Sequence, residues 1–257
     1  MALQINRKIQ HLATLYNQFR FLIDDKHVVY VTIEPGIFPV GDWSFIDFLS
    51  FPPGDWNRGR ISKDQYTGSL TFSSISYDII LGVENIWHQT YIDHLEFEQI
   101  DSLSQNVRIA THPLFHYPVI IKFASFPSEI GDIETETAMY SRLHGTGISP
   151  KFLGHVTEEG RGVIGFVLEF ITKSRLAEPR DLTICQKVLA RLHNLGIKHD
   201  NIRKDNFLVL GGKAFLIGFK VSYLCDEKKE LELEYDNLQE LFGGCIKNDR
   251  GTKSYTN

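Results

Sequence analysis

The sequence predicts an α+β fold, and three observations carry that expectation. Short β-prone runs bounded by turn residues, such as Val28 to Ile33 and Val107 to Ala110, recur through the first half. Stripes of apolar residues at helical spacing occur near the start, around residue 135 and in the last third. A content of 42% hydrophobic and 12% aromatic residues over 257 positions supplies one large core or two small ones and excludes wholesale disorder.

Taken in order, Ile5, Ile9, Leu12, Tyr16 and Phe19 follow one another at spacings of 4, 3, 4 and 3, with Arg7, Lys8, Gln10 and Asn17 outside the stripe. This spacing predicts an N-terminal helix, too short for an independent coiled coil and therefore docked on the chain's own sheet. Val28 to Ile33 reads as a strand stopped by Pro35-Gly36. Ser50 to Gly68, with Pro52, Pro53, Gly54, Gly59 and the charges Asp55, Arg58, Arg60, Lys63 and Asp64, close to Asp47, reads as turn chemistry and as the best domain boundary.

Beyond it, Leu70 to Ser73, Tyr77 to Leu81, His94 to Gln99 and Val107 to Ala110 predict an antiparallel sheet, continued by Pro118 to Ala124 and followed by a helix from about Glu129 to Leu143. Asp181 is placed to cap a helix carrying Ile184, Val188, Leu189 and Leu192, which Gly196 ends. Phe207 to Leu210, Gly211-Gly212 and Ala214 to Phe219 predict a hairpin. Asp226 to Leu241 predicts an acidic helix with Leu231, Tyr235, Leu238 and Leu241 on one side and its charges on a solvated face.

The balance of 27 Lys+Arg against 32 Asp+Glu, a formal charge of −5, excludes a broadly basic nucleic-acid binder. No run approaches the roughly 18 apolar residues of a bilayer span, so a soluble protein of the cytosol or nucleus is expected, with no membrane partner. The three cysteines, Cys185, Cys225 and Cys245, are odd in number and widely spaced. They indicate neither a disulfide framework nor a zinc site.

The chemistry concentrates in two places. Val119-Ile-Ile-Lys122 is a strand ending in a lysine, followed by a helix with glutamates, an order that lets a carboxylate hold an amine while it reaches a phosphate. About 80 residues later, Leu192 to Val209 runs through a helix end, a polar loop and the start of a hairpin, and Phe215-Leu-Ile-Gly-Phe219 follows.

On these residues the chain resembles the protein-kinase-like superfamily, in particular fungal kinase-like proteins related to aminoglycoside phosphotransferases and lipopolysaccharide kinases. The pattern H-G-D-[LI]-x-x-x-N-[FL] is similar to His199 to Phe207, and I-D-F to Ile217 to Phe219. The resemblance spans roughly Gly68 to Leu241. It implies a two-lobed fold with a short C-terminal lobe: an N-terminal extension over 1–66, a sheet lobe over 67–171 and a helical lobe over 172–257.

It also implies that Lys122 holds the α- and β-phosphates of ATP, that Glu136 pairs with Lys122 (Glu134 being the alternate), and that Asn206 and a later carboxylate hold magnesium. Two departures weigh against phosphoryl transfer. The position of the catalytic Asp is Asn201, with Asp200 in place of the usual glycine, and the metal-binding Asp is Gly218. An amide is no general base, whose loss costs about 10²–10⁴ in rate, and glycine offers magnesium no ligand.

The resulting expectation is a pseudokinase with a regulatory or binding role, whose interlobe cleft takes a nucleotide, another small anionic ligand or a protein partner. The alternatives are a small-molecule phosphotransferase using Asp200 or Asp205 as substitute carboxylate, and a kinase scaffold reused for other small-molecule chemistry. Lys220, two residues beyond Gly218, is a candidate to meet phosphate oxygens in place of the metal, provided the backbone there is extended.

The remaining candidates read more plainly. His112 and His116 flank Pro113 in a loop, poor geometry for a metal pair. His193 and His199 read as packed residues of the helix end and loop, Trp43, Trp56 and Trp87 as core or pocket residues, and Arg203 and Lys204 as loop charges or anion ligands.

Overall fold

The structure, a computed structural model, describes residues 7–37 and 50–243. Among them it is a mixed α+β protein of sixteen strands and three α-helices. Two compact units divide the chain: Met1–Ile133 with Gly154–Val167, and Glu134–Leu153 with Leu168–Asn257.

The first unit contains a five-stranded sheet in the order β1-β2-β3-β4-β5, made of Ile9–Leu15, Gln18–Ile23, His27–Ile33, Arg58–Lys63 and Leu70–Ser76. This corrects the expected N-terminal helix. Residues 9–23 are an antiparallel hairpin with Ile9 opposite Ile23 and Leu15 opposite Gln18, turned at Tyr16, whose φ is 54°. Position 5 lies outside the described residues.

The physical reason is burial on both faces. Phe19, Phe21, Ile23, Val29, Val31 and Ile33 point into one apolar cluster with Trp56 and Ile61, while the alternate residues Leu22, Val28 and Tyr30 pack with Phe126 in another. Apolar residues therefore fill both faces of β2 and β3 in runs such as Phe21-Leu22-Ile23 and Val28 to Val31, so no clean period of two marks them.

The segment expected to be turns, Ser50 to Gly68, holds β4. That strand pairs parallel with β3 and antiparallel with β5, and Gly59 fits because a Cβ there would lie 2.8 Å from the Phe72 ring. Trp56 is core, and Trp43 lies outside the described residues.

A six-stranded sheet follows in the order β6-β10-β11-β9-β8-β7. Its strands are Tyr91–Asp93 (β6), Glu98–Ser104 (β7), Val107–Thr111 (β8), Val119–Phe123 (β9), Phe152–Glu158 (β10) and Gly162–Glu169 (β11). The expected single antiparallel sheet is therefore two sheets, and the second is mixed, β6 running parallel to β10. Tyr77 to Leu81 has no strand ladder; its neighbour Asn57 exchanges two hydrogen bonds of 2.8 Å with the backbone of Asp78. Within His94 to Gln99 a 3₁₀ turn, His94–Glu96, interrupts the chain because Asp93 accepts the Leu95 N–H.

A buried polar cluster joins the two sheets of this unit. Arg20 on β2 is 1% exposed and pairs with Glu158 at the end of β10. The Tyr30 hydroxyl donates to the other Glu158 oxygen at 2.8 Å, and Arg20 Nη2 donates to His94 Nε2 at 2.9 Å. Arginine has no acceptor, so His94 Nε2 is the lone-pair nitrogen there.

Helix α1, Ile130–Leu143, follows a turn in which Glu129 accepts the N–H groups of Ser125 and Phe126. In the second unit, helix α2 (Leu182–His193) ends as expected at Gly196, whose φ is 66°. Asp181, however, makes no hydrogen bond to the helix's own N–H groups. Its carboxylate takes the Glu178 N–H at 2.8 Å and the Arg175 guanidinium at 2.6 and 2.8 Å. The Arg175 hydrogen bonds hold the Asp181 carboxyl down at about 2.

A short strand, β12 (Arg175–Leu176), pairs with the hairpin β14–β15, Phe207–Leu210 and Lys213–Leu216, which turns at Gly211-Gly212 as expected. The two-residue strands β13 (Ile197–Lys198) and β16 (Tyr223–Leu224) pair antiparallel, and helix α3 covers Lys228–Gly243. Cys185 and Cys225 are free and buried; Cys245 lies outside the described residues. No described helix is long and apolar enough to cross a membrane.

Candidate functional site

The loop from Gly196 to Asn206 and the segment Ile217 to Lys220 meet within the second unit. Pairing of β13 with β16 sets Lys198 opposite Tyr223 at the loop's entrance. The hairpin then returns the chain, so that the Ile217 N–H donates to the Asn206 carbonyl at 3.0 Å.

Below the loop stands α3. Glu234, 5% exposed, accepts the Asp200 N–H at 2.6 Å and the His199 N–H at 3.1 Å, with His193 Nε2 at 2.7 Å. Burial alone would raise the Glu234 carboxyl; the hydrogen bonds from His193 and the two backbone N–H groups outweigh it and hold it below the ordinary carboxylate value. The solvated face expected for the charges of this helix is thus broken at Glu234. The missed signal was positional: 231, 234 and 238 are one helical stripe, and the glutamate stands in it between two leucines.

His199 is fully buried, and its Nε2–H donates to the Ile217 carbonyl at 3.0 Å, which leaves Nδ1 as the lone-pair nitrogen. Burial lowers its pKa against the opposing pull of Ile217, Glu234 and Asp200, so the ring is a neutral structural tie, as the sequence suggests.

The two carboxylates that the sequence offers as substitute bases, Asp200 and Asp205, are both ion-paired. Asp200, at φ 58°, lies 3.0 Å from Lys198 Nζ. The same ammonium also donates to Tyr223 Oη at 3.0 Å and Glu230 Oε2 at 2.9 Å, and these three partners raise its pKa. Asp205 takes a two-pronged contact from Arg203, Nε to Oδ1 at 3.1 Å and Nη2 to Oδ2 at 2.9 Å. Arg203 is thereby committed to Asp205, and Lys204 Nζ lies 5.6 Å from the centre of the Phe242 ring.

Asn201 and Asn206 are joined directly, Asn206 Nδ2 donating to the Asn201 carbonyl at 2.8 Å. Asn206 Oδ1 faces Gly218, where an added Cβ would lie 2.9 Å from it. Gly218 has φ +81° and Lys220 begins a turn, so the extended backbone that would put both on one face is not formed. Lys220 is exposed.

The other candidate residues are set in the expected elements. Lys122 is half-buried on β9, opposite Val107 of β8, and the backbone runs close there: a Cβ on Gly165 of β11 would lie 2.2 Å from the Lys122 carbonyl oxygen. Glu136 is 1% exposed on α1, and, after burial, its charge is what raises the Tyr140 pKa. Lys122 belongs to the first unit and Glu136 to the second.

His112 packs with Phe97 and Phe115, and its Nε2 is 3.7 Å from Glu96. Trp87 stands by His88 and His155. Comparison of the chain with protein-family models and with curated proteins gives no match.

Proposed function

We propose that the chain is a catalytically impaired kinase-like protein, a pseudokinase that binds a nucleotide or another small anionic ligand and does not transfer phosphate. The observation that carries this reading is the state of the loop. It keeps a buried histidine, an asparagine bonded back onto the loop and an acidic clamp from α3, yet Asp200 is ion-paired to Lys198 and Asp205 to Arg203. A general base has to be placed within hydrogen-bond reach of the substrate proton, and each of these carboxylates is drawn instead to a cation of its own loop.

The order of elements supports the kinase-like part of the reading: the Lys122 strand, the Glu136 helix, helix α2, the polar loop and the hairpin follow one another as the resemblance requires. ATP is the nucleotide the resemblance implies. Magnesium fits poorly, because position 218 has no side chain to offer it an oxygen.

The test is phosphate release and transfer from ATP, measured with magnesium for the purified chain and for Lys122→Met. Equal background rates are expected. Magnesium-dependent turnover that is lost in Asp200→Asn or Asp205→Asn would establish the phosphotransferase instead.

A further inference from the structure

We infer that the position assigned by resemblance to a second magnesium ligand is closed by the polypeptide itself, and that Gly218 is a structural requirement of this closure. The location rests on the kinase-like reading of the loop; the inference needs no nucleotide to bind.

The first ground is the backbone. Gly218 has φ +81°, a region that side-chain-bearing L residues rarely enter. The second is space. A Cβ at 218 would lie 2.9 Å from Asn206 Oδ1 and 3.2 Å from its Cγ, closer than such contacts run. Asn206 is held at several points: its Nδ2 on the Asn201 carbonyl at 2.8 Å, its N–H on the Arg203 carbonyl at 3.0 Å and its own carbonyl under the Ile217 N–H at 3.0 Å. Moving it aside breaks the amide's bond to Asn201.

The third ground is that the loop and the 217–218 segment are already joined without an ion. The Ile217 N–H donates to Asn206 and the Ile217 carbonyl accepts from His199, one hydrogen bond in each direction. A magnesium ion asks for near-octahedral oxygen ligands at about 2.0–2.1 Å. Among the described residues no group of three or more His, Cys, Asp or Glu is arranged to hold a metal. A side chain introduced at 218 would have to take up a strained backbone conformation and push Asn206 Oδ1 from its place, so its carboxylate would not meet that oxygen in the geometry a metal needs.

The glycine is therefore more than a lost ligand, and restoring aspartate will not restore the metal. The experiment uses Mn²⁺ as a paramagnetic probe, titrated into the full chain, Gly218→Asp, Gly218→Ala and Asn206→Ala, with melting curves for each. The wild type is expected to hold no more Mn²⁺ than Asn206→Ala, and Gly218→Asp to gain none. Gly218→Ala should melt about 5 °C or more lower, with part of the loss recovered when Asn206→Ala is added.

Mn²⁺ binding by the wild type that Asn206→Ala abolishes would overturn the inference, even if Gly218→Asp fails to fold. So would a Gly218→Asp protein that melts like the wild type and gains Mn²⁺ through Asn206. Failure of nucleotides to bind would defeat the pseudokinase reading and leave all these readings of the loop in place.

Discussion

Glu234→Gln tests the loop's support most sharply, because one atom changes and the geometry says which partner loses. The carboxylate receives the Asp200 and His199 N–H groups on its two oxygens and His193 Nε2 on the second. Glutamine keeps one acceptor oxygen and turns the other into an NH₂ group, so one backbone N–H faces a donor in a site where Glu234 is 5% exposed. An unsatisfied buried donor costs about 1–3 kcal/mol, and loss of the charge-assisted bonds takes the total toward about 2–3 kcal/mol.

If the loop opens locally, that is about 30- to 150-fold faster amide exchange at His199 and Asp200, at about 1.4 kcal/mol per factor of ten. Hydrogen exchange read at single residues is the assay. Exchange changed less than threefold at both amides in a folded variant would refute the clamp. The pH dependence has a fixed sign. A carboxyl held below its ordinary 4.5 in the folded chain contributes stability that is complete above about pH 4.5 and is lost as pH falls through the lowered value.

Two further outcomes follow from charge pairs elsewhere. Arg20→Met should destabilise the first unit by about 3–5 kcal/mol in urea unfolding, because Glu158 is left buried without its cation, and adding Glu158→Gln should return part of the loss. Arg175→Ala should move the Asp181 carboxyl from about 2 toward 3.8 in an NMR titration. In the wild type that pair's contribution is present above pH 3.8 and disappears as pH falls toward 2; an Asp181 value unmoved by the substitution would contradict the assignment.

What could be seen in the sequence depended on whether burial left a pattern. Helices α2 and α3 and the hairpin at Gly211-Gly212 were legible because each has one apolar side and a glycine or a polar loop at its end. The N-terminal hairpin was hidden, since β2 and β3 bury both faces and the apolar spacing of 5, 9, 12, 16 and 19 mimics a helix. Nor does any spacing announce that Arg20, a charged residue on β2, is sealed in with Glu158 and Tyr30.

Strands β10 and β11, Phe152–Glu158 and Gly162–Glu169, passed unread for the same reason. At the loop, the identities of Asn201, Asn206 and Gly218 were legible as departures from a motif. Their partners were not, because Lys198, Arg203 and Glu234 act through contacts that only the folded backbone sets.

The central claim is binding without chemistry, and calorimetric titration with a non-hydrolysable ATP analogue tests it most directly, run once with magnesium and once with a chelator. Saturable binding of equal affinity in both, weakened in Lys122→Met, is the predicted result. Binding that requires magnesium, or none with or without the metal, would contradict it.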